Sequence, residues 1–165
     1  METTKTPPTA DMAKVFAWKF IDDNPESRLW FLTGSVAFGE AGPDSDIDIV
    51  VTPEVASAVL EKLCNGHVSV HECGYVNDQA RFKGRSYKFT CIMQNGCTPV
   101  FNLIDIGADG GFGFEVWRIA TEMYKTLPGK AISKEHRVET FKSLCEQATK
   151  WLDARANLPV EPVPR

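Results

Sequence analysis

The sequence has no apolar run that approaches the roughly 20 residues of a membrane-spanning helix. Its N-terminus also lacks the basic start and the apolar core of a secretory signal. Five cysteines are an odd number in a chain without an export signal, so reduced thiols, mostly in the core, are favoured over a disulfide framework. We therefore expect a soluble, cytoplasmic protein with no membrane partner.

An excess of basic charge is also missing, because the net charge is −4. Nonspecific binding to a nucleic-acid backbone draws its affinity from many Lys and Arg contacts, so this class of protein is disfavoured. A local basic cluster is still present, formed by Arg81, Lys83, Arg85 and Lys88. These cations either solvate a hairpin or, at Arg85 and Lys88, bind a triphosphate or an anionic acceptor.

The 165 residues, 43% of them hydrophobic, are an ordinary length for one domain with its own core. Residues 1–10 and 157–165 are rich in Thr, Pro and Val without periodicity, which predicts a flexible tail at each end. The expected domain is therefore residues 11–156.

Hydrophobic periodicity and turn residues predict helices and strands along this domain. Asp11 is the expected N-cap of the first helix. The predicted helices span 11–23, 35–39, 53–65, 114–127 and 134–155, and the predicted strands span 28–33, 46–51, 68–73, 86–93 and 99–106. The expected fold class is α/β (α+β), with a mixed sheet that has helices packed on one face and carboxylates on the other.

Two carboxylates inside an apolar strand are the strongest chemical signal. In the segment Asp46-Ile47-Asp48-Ile49 the acids alternate with isoleucines, so both carboxylates emerge on one face of the strand. They lie roughly 6.5 Å apart along the strand and repel each other unless solvent or a cation lies between them. Oxygen-only ligands of this kind suit Mg²⁺ or Mn²⁺. We therefore expect a metal site at Asp46 and Asp48.

Two further features accompany this pair: a Gly34-Ser35 turn after an apolar strand, and Asp105 on a later apolar strand. The combination resembles the DNA polymerase β-type nucleotidyltransferase superfamily, whose members share a Gly-Ser turn, an Asp-x-Asp pair and a third strand acid. The run from Gly34 to Asp48 is most similar to the small, stand-alone minimal nucleotidyltransferases, with Phe38 where those enzymes commonly carry Arg. The resemblance covers roughly residues 28–107.

The resemblance implies a nucleotidyltransferase-like fold and the metal-dependent transfer of a nucleoside monophosphate from an NTP such as ATP to an acceptor hydroxyl, with release of pyrophosphate. Asp46, Asp48 and Asp105 would be the catalytic and metal-binding acids of a two-metal mechanism. Gly34 would let the triphosphate approach the backbone, and Ser35 would donate to its oxygens.

Two questions stay open at the level of sequence. The acceptor could be a small molecule, a protein or tRNA. The alternative function is a catalytically weak, nucleotidyltransferase-like binding module that acts through a protein partner, as an antitoxin-like protein would.

Overall fold

The computed structural model describes residues 5–75 and 84–158. Contacts divide the chain into two compact units, Met1–Glu115 and Val116–Arg165. The described elements are, in chain order, α1 (Ala10–Phe20), β1 (Trp30–Thr33), α2 (Gly34–Ala37), β2 (Ile47–Val51), α3 (Pro53–Asn65), β3 (His71–Tyr75), β4 (Arg85–Thr90), β5 (Val100–Asp105), α4 (Phe112–Lys125) and α5 (Lys134–Ala156).

A five-stranded mixed sheet is the centre of the first unit, with the strand order β1-β2-β5-β4-β3. Strands β2 and β5 run parallel, and every other neighbouring pair is antiparallel. This arrangement confirms the predicted α/β (α+β) class with a mixed sheet. Its central parallel pair brings together two strands that are far apart in sequence, and the candidate site depends on that pairing.

One face of the sheet carries the apolar core. Ile47 and Ile49 of β2 pair with Phe101 and Leu103 of β5, and all four side chains are at most 1% exposed. Helices α1 and α3 contribute buried residues to the same cluster. Each side chain buried in this way stabilises the fold by about 2 kcal/mol. The alternate residues of β2 and β5 point to the second face of the sheet.

The first turn of α4 packs on this second face. The rings of Phe31 and Phe114 meet edge to face, with centroids 5.0 Å apart. Phe31 pairs with Val50, which is fully buried. The polar residues of the second face therefore lie further along the strands, away from this apolar contact.

The observed element bounds differ from the predicted ones at several ends. Thr9, rather than Asp11, caps α1, because its hydroxyl accepts a hydrogen bond from the Met12 backbone nitrogen at 3.4 Å. The chain leaves α3 through His67, which has a positive φ of 59°, so β3 begins at His71 and not at 68 as predicted. The predicted tails at 1–10 and 157–165 fall partly outside the described residues, and the predicted domain boundaries stay predictions.

In the second unit, Trp117 of α4 packs edge to face on Phe141 of α5, with ring centroids 5.2 Å apart. Cys145 is also a residue of α5 and is buried. Burial raises the pKa of its thiol to about 12. No helix in the described part of the chain is long and apolar enough to cross a membrane.

All five cysteines are free thiols, as predicted. Their expected location in the core is wrong for most of them, because Cys64 and Cys73 are exposed and only Cys145 is buried. Cys64 lies near the end of α3 and Cys73 lies on the edge strand β3, where neither side chain is enclosed.

Candidate active site

A row of polar side chains crosses the second face of the sheet. Strand pairing places five residues beside one another, one from each strand. Paired residues point to the same face, and the alternation along β2 and β5 directs this row away from the apolar core. This polar row consists, in sheet order, of Thr33, Asp48, Asn102, Lys88 and His71.

The turn at Gly34 lies directly against Asp48. Gly34 follows the first residue of the row and has a φ of +73°, a backbone conformation that side chains other than hydrogen rarely tolerate. A Cβ on Gly34 would overlap the Asp48 Oδ2 atom and would lie 3.2 Å from Asp48 Cγ. The next residue, Ser35, is buried. The structure therefore brings the predicted turn and one predicted carboxylate into contact.

Asp46 joins the polar row through Lys88. The Lys88 Nζ atom lies 2.9 Å from Asp46 Oδ2, and the two side chains are 44% and 27% exposed. The hydrogen bond to Asp46 raises the pKa of Lys88, although partial burial opposes this effect. A pair with this exposure stabilises the fold by about 1 kcal/mol or less. Its main consequence is therefore geometric, because it holds a cation beside the carboxylates.

Asn102 stands between Asp48 and Lys88 in the row. Its Nδ2 atom donates a hydrogen bond to Asp48 Oδ1 at 3.0 Å. Its Oδ1 atom is buried and has no hydrogen-bond partner among the described residues. A buried acceptor without a donor costs about 1–3 kcal/mol, so the fold gains little from this side chain beyond its hold on Asp48.

Asp105 lies on the opposite face of the sheet from Asp48. It pairs with Val51 on β2, and Val51 belongs to the apolar core. Because Asp48 and Val51 are separated by an odd number of positions on one strand, their side chains point to opposite faces. The structure thus brings Asp46 and Asp48 to the polar row but does not bring Asp105 there, in contrast to the three-acid site expected from the sequence.

Arg85 lies with Asp105, its partner in the β4–β5 pairing. Its Nη1 atom is 3.8 Å from Glu72 Oε1. Lys88 is three residues further along β4 and therefore points to the other face. The two cations predicted to bind nucleotide are thus separated, with Lys88 beside the carboxylate pair and Arg85 on the face of the core. The remaining cations of the predicted cluster, Arg81 and Lys83, lie outside the described residues.

Asp105→Asn is expected to stabilise the protein at neutral pH. Burial raises the pKa of Asp105 above its ordinary value of 3.8, Arg85 opposes this shift and Glu54 adds to it. A carboxyl group with a raised folded pKa stabilises the fold below its unfolded pKa and loses that contribution as the pH rises through the folded pKa. The gain in Tm over wild type should therefore be larger near pH 7 than near pH 3.5. Thermal unfolding that gives a smaller gain in Tm near pH 7 than near pH 3.5 would contradict this prediction.

A cavity of about 590 Å³ lies at the start of β2 and β5. Its lining includes Ser45, which directly precedes Asp46, and Val100, the first residue of β5. Lys5 and Asp44 also line it and form an ion pair with an Nζ to Oδ1 distance of 3.2 Å. The cavity therefore reaches the residue that precedes Asp46, whereas Asp46 and Asp48 themselves are not among its lining residues.

Residues 17–79 match the family model of the nucleotidyltransferase domain. This stretch of the chain is similar to a nucleotidyltransferase domain. The match confirms the predicted resemblance, and it supports nucleotidyl transfer as the general chemistry of the domain. The matched range contains the Gly34 turn and the carboxylates of Asp46 and Asp48. The range ends before Lys88, Asn102 and Asp105. No curated protein matches the chain.

Asn102 is the residue of the candidate site that the sequence analysis did not predict. The available signal was the alternation in β5, where Phe101 and Leu103 are apolar and Asn102 is polar. That alternation puts Asn102 on the face away from the core. The sequence predicts Asp105 instead, because a carboxylate among isoleucines suggests a ligand when its face is unknown.

The carboxylates of Asp46 and Asp48 fit one cation that is shared with a phosphate. Asp46 and Asp48 supply two carboxylates, and Mg²⁺ is commonly held by one or two carboxylates together with substrate phosphates. A group of three Asp, Glu, His or Cys side chains that could hold a metal is not found among residues 5–75 and 84–158. Two carboxylates alone would leave positions on such a cation for other oxygen ligands.

Proposed function

We propose that the chain transfers a nucleoside monophosphate from an NTP to an acceptor hydroxyl and releases pyrophosphate, with Mg²⁺ or Mn²⁺ as the cofactor. The observation that carries this proposal is the contact between the Gly34 backbone and the Asp48 carboxylate, with Asp46 linked to the same row through Lys88. A turn without a side chain lets phosphates approach the backbone closely, and the carboxylates beside it can hold the cation that such phosphates carry.

Each residue of the site has a role in this proposal. Asp46 and Asp48 would hold the cation, and Gly34 and Ser35 would position the triphosphate. Lys88 would exchange its contact with Asp46 for a phosphate oxygen when the nucleotide binds. The bound cation would neutralise the negative charge on the reacting phosphate, which is the main demand of this reaction class.

The acceptor hydroxyl would enter from the cavity next to Ser45. Thr98 lines that cavity and is exposed. Thr98→Trp is therefore expected to lower transfer to an acceptor about tenfold, because a large ring reduces the space available to it. Nucleotide affinity, measured with a fluorescent ATP analogue, should stay at the wild-type value. Equal losses in affinity and transfer would place the cavity on the nucleotide side instead.

The direct test is incubation of the chain with α-labelled NTPs and Mg²⁺ or Mn²⁺, with pools of small molecules, proteins and tRNA as acceptors. Label transfer and pyrophosphate release by the wild type, and their loss in Asp46→Asn and Asp48→Asn, are the expected results. If no NTP gives either product with any pool, catalysis by this site is refuted.

The second candidate is a catalytically weak binding module that acts through a protein partner. The observation that favours it is that both carboxylates already have partners within the chain, Asp46 with Lys88 and Asp48 with Asn102. Under this function the chain would bind NTPs without releasing pyrophosphate. Nucleotide binding combined with a negative transfer assay would select this candidate.

A further inference from the structure

The carboxylate pair is held by neighbours of two different kinds. Asp48 accepts an amide hydrogen bond from Asn102 at 3.0 Å, and Asp46 is paired with the Lys88 ammonium at 2.9 Å. Both partners belong to strands β5 and β4, so the pair is supported by the sheet itself. Neighbouring anions need such partners, because each of them destabilises the other when no opposite charge or donor is near.

Asn102 does little for the fold apart from this contact. Its Oδ1 atom is buried and has no partner among the described residues, so the side chain leaves one acceptor unpaired while its amide nitrogen holds Asp48. An apolar residue of similar volume would avoid the unpaired acceptor. The amide is therefore explained by the orientation of Asp48 and not by stability.

We propose that Asn102 and Lys88 are positioning residues that keep the carboxylate pair ordered without a resident metal, so that the divalent cation enters only together with the nucleotide. The proposal rests on the proposed function for the identity of the site. An amide at position 102 adds no charge, and the ammonium of Lys88 occupies the approach to Asp46. Both features weaken the binding of a free cation while they leave the two carboxylates oriented.

A carboxylate at position 102 should strengthen the binding of a free cation. Asn102→Asp would place a third anion within hydrogen-bonding distance of Asp48, where the amide now lies 3.0 Å away. Without metal, the added repulsion lowers the Tm of the variant. With metal, three carboxylates attract the cation more strongly, so the variant should bind Mn²⁺ at least about tenfold more tightly than the wild type.

The experiment is a titration of the full chain with MnCl₂, in which electron paramagnetic resonance measures free Mn²⁺ in the absence of nucleotide. Wild type, Asn102→Asp and Lys88→Gln are compared. The wild type should bind Mn²⁺ weakly, and both variants should bind it more tightly. The Tm of Asn102→Asp should also rise more with Mn²⁺ than that of the wild type, since a ligand that binds the folded state stabilises it.

Lys88→Gln keeps the test decisive if Asn102→Asp fails to fold. The Lys88 side chain is only partly buried, at 44% exposure, and its substitution adds no anion. Tight binding of Mn²⁺ by the wild type without nucleotide would overturn the proposal. So would unchanged Mn²⁺ affinity in the folded variants.

Electron paramagnetic resonance also distinguishes a failure of this inference from a failure of the proposed function. Addition of a non-hydrolysable ATP analogue should cause the wild type to take up Mn²⁺. Failure of that uptake would contradict the proposed nucleotide site, whereas equal Mn²⁺ affinities of wild type and variants without nucleotide would contradict only the positioning roles of Asn102 and Lys88.

Discussion

Asp48→Asn is expected to lower nucleotidyl transfer at least about a hundredfold, which corresponds to a loss of about 2.7 kcal/mol of transition-state stabilisation. The substitution removes one anionic ligand of the proposed cation while it keeps the size of the side chain. The amide oxygen of the new residue can still accept the hydrogen bond from Asn102, so the fold and the orientation at position 48 should persist. Steady-state kinetics with labelled NTP and the thermal unfolding of both proteins measure the two effects.

Asp105→Asn separates the two possible acid sets. If the site contained three acids, as the sequence alone suggests, this variant would lose activity to the same degree as Asp48→Asn. Because Asp105 lies on the face of the apolar core, we expect a change of less than about threefold, within the range of substitutions remote from a reacting centre. Losses of similar size in Asp105→Asn and Asp48→Asn would contradict the expectation that Asp105 is remote from the reacting centre.

Gly34→Ala should destabilise the protein by about 3 kcal/mol and should also displace the Asp48 carboxylate. Two causes act together, because the residue would adopt a φ of +73° with a side chain and its Cβ would overlap Asp48 Oδ2. Gly39 is a matched control. It has a φ of +70°, and an added Cβ there meets no atom within 4 Å among the described residues, so Gly39→Ala should cost only the backbone strain, about 1 kcal/mol. Urea unfolding gives both values.

A double-mutant cycle tests whether the excess cost of Gly34→Ala comes from Asp48. In an Asp48→Ala background the carboxylate is gone, and the nearest remaining atom of that side chain, Cβ, would lie 3.4 Å from the added methyl carbon. The cost of Gly34→Ala should then fall to that of Gly39→Ala. An unchanged cost in this background would mean that the contact with Asp48 is not the cause.

Most helices and strands of this fold could be predicted from local sequence patterns. The helix at Pro53–Asn65 follows from its proline at the first turn and its apolar stripe, and the strands at β1, β2 and β5 follow from short apolar runs between turn residues. The glycine turn and the Asp-x-Asp pair were accessible as well, because both lie in one continuous stretch. Their end residues were less certain, as the cap at Thr9 and the start of β3 at His71 illustrate.

The full set of residues that form the candidate site could not be predicted in this way. Near its end β5 is apolar on both faces, since Leu103 and Ile104 are both buried, and the sequence around Asp105 therefore does not reveal which face its carboxylate occupies. A shift of one position along a strand moves a side chain to the other face. The choice between Asn102 and Asp105 as the neighbour of Asp48 thus depends on the register of β2 against β5.

By itself the sequence determined the approximate positions of the helices and strands, the resemblance to nucleotidyltransferases, and the turn and two carboxylates that we propose as the site, because these features depend on neighbouring residues. Only the tertiary structure decided that Asn102 and Lys88 complete the polar row, and that Asp105 and Arg85 lie on the opposite face. The physical reason is that hydrogen bonds between distant strands set the register, and the register assigns each side chain to a face.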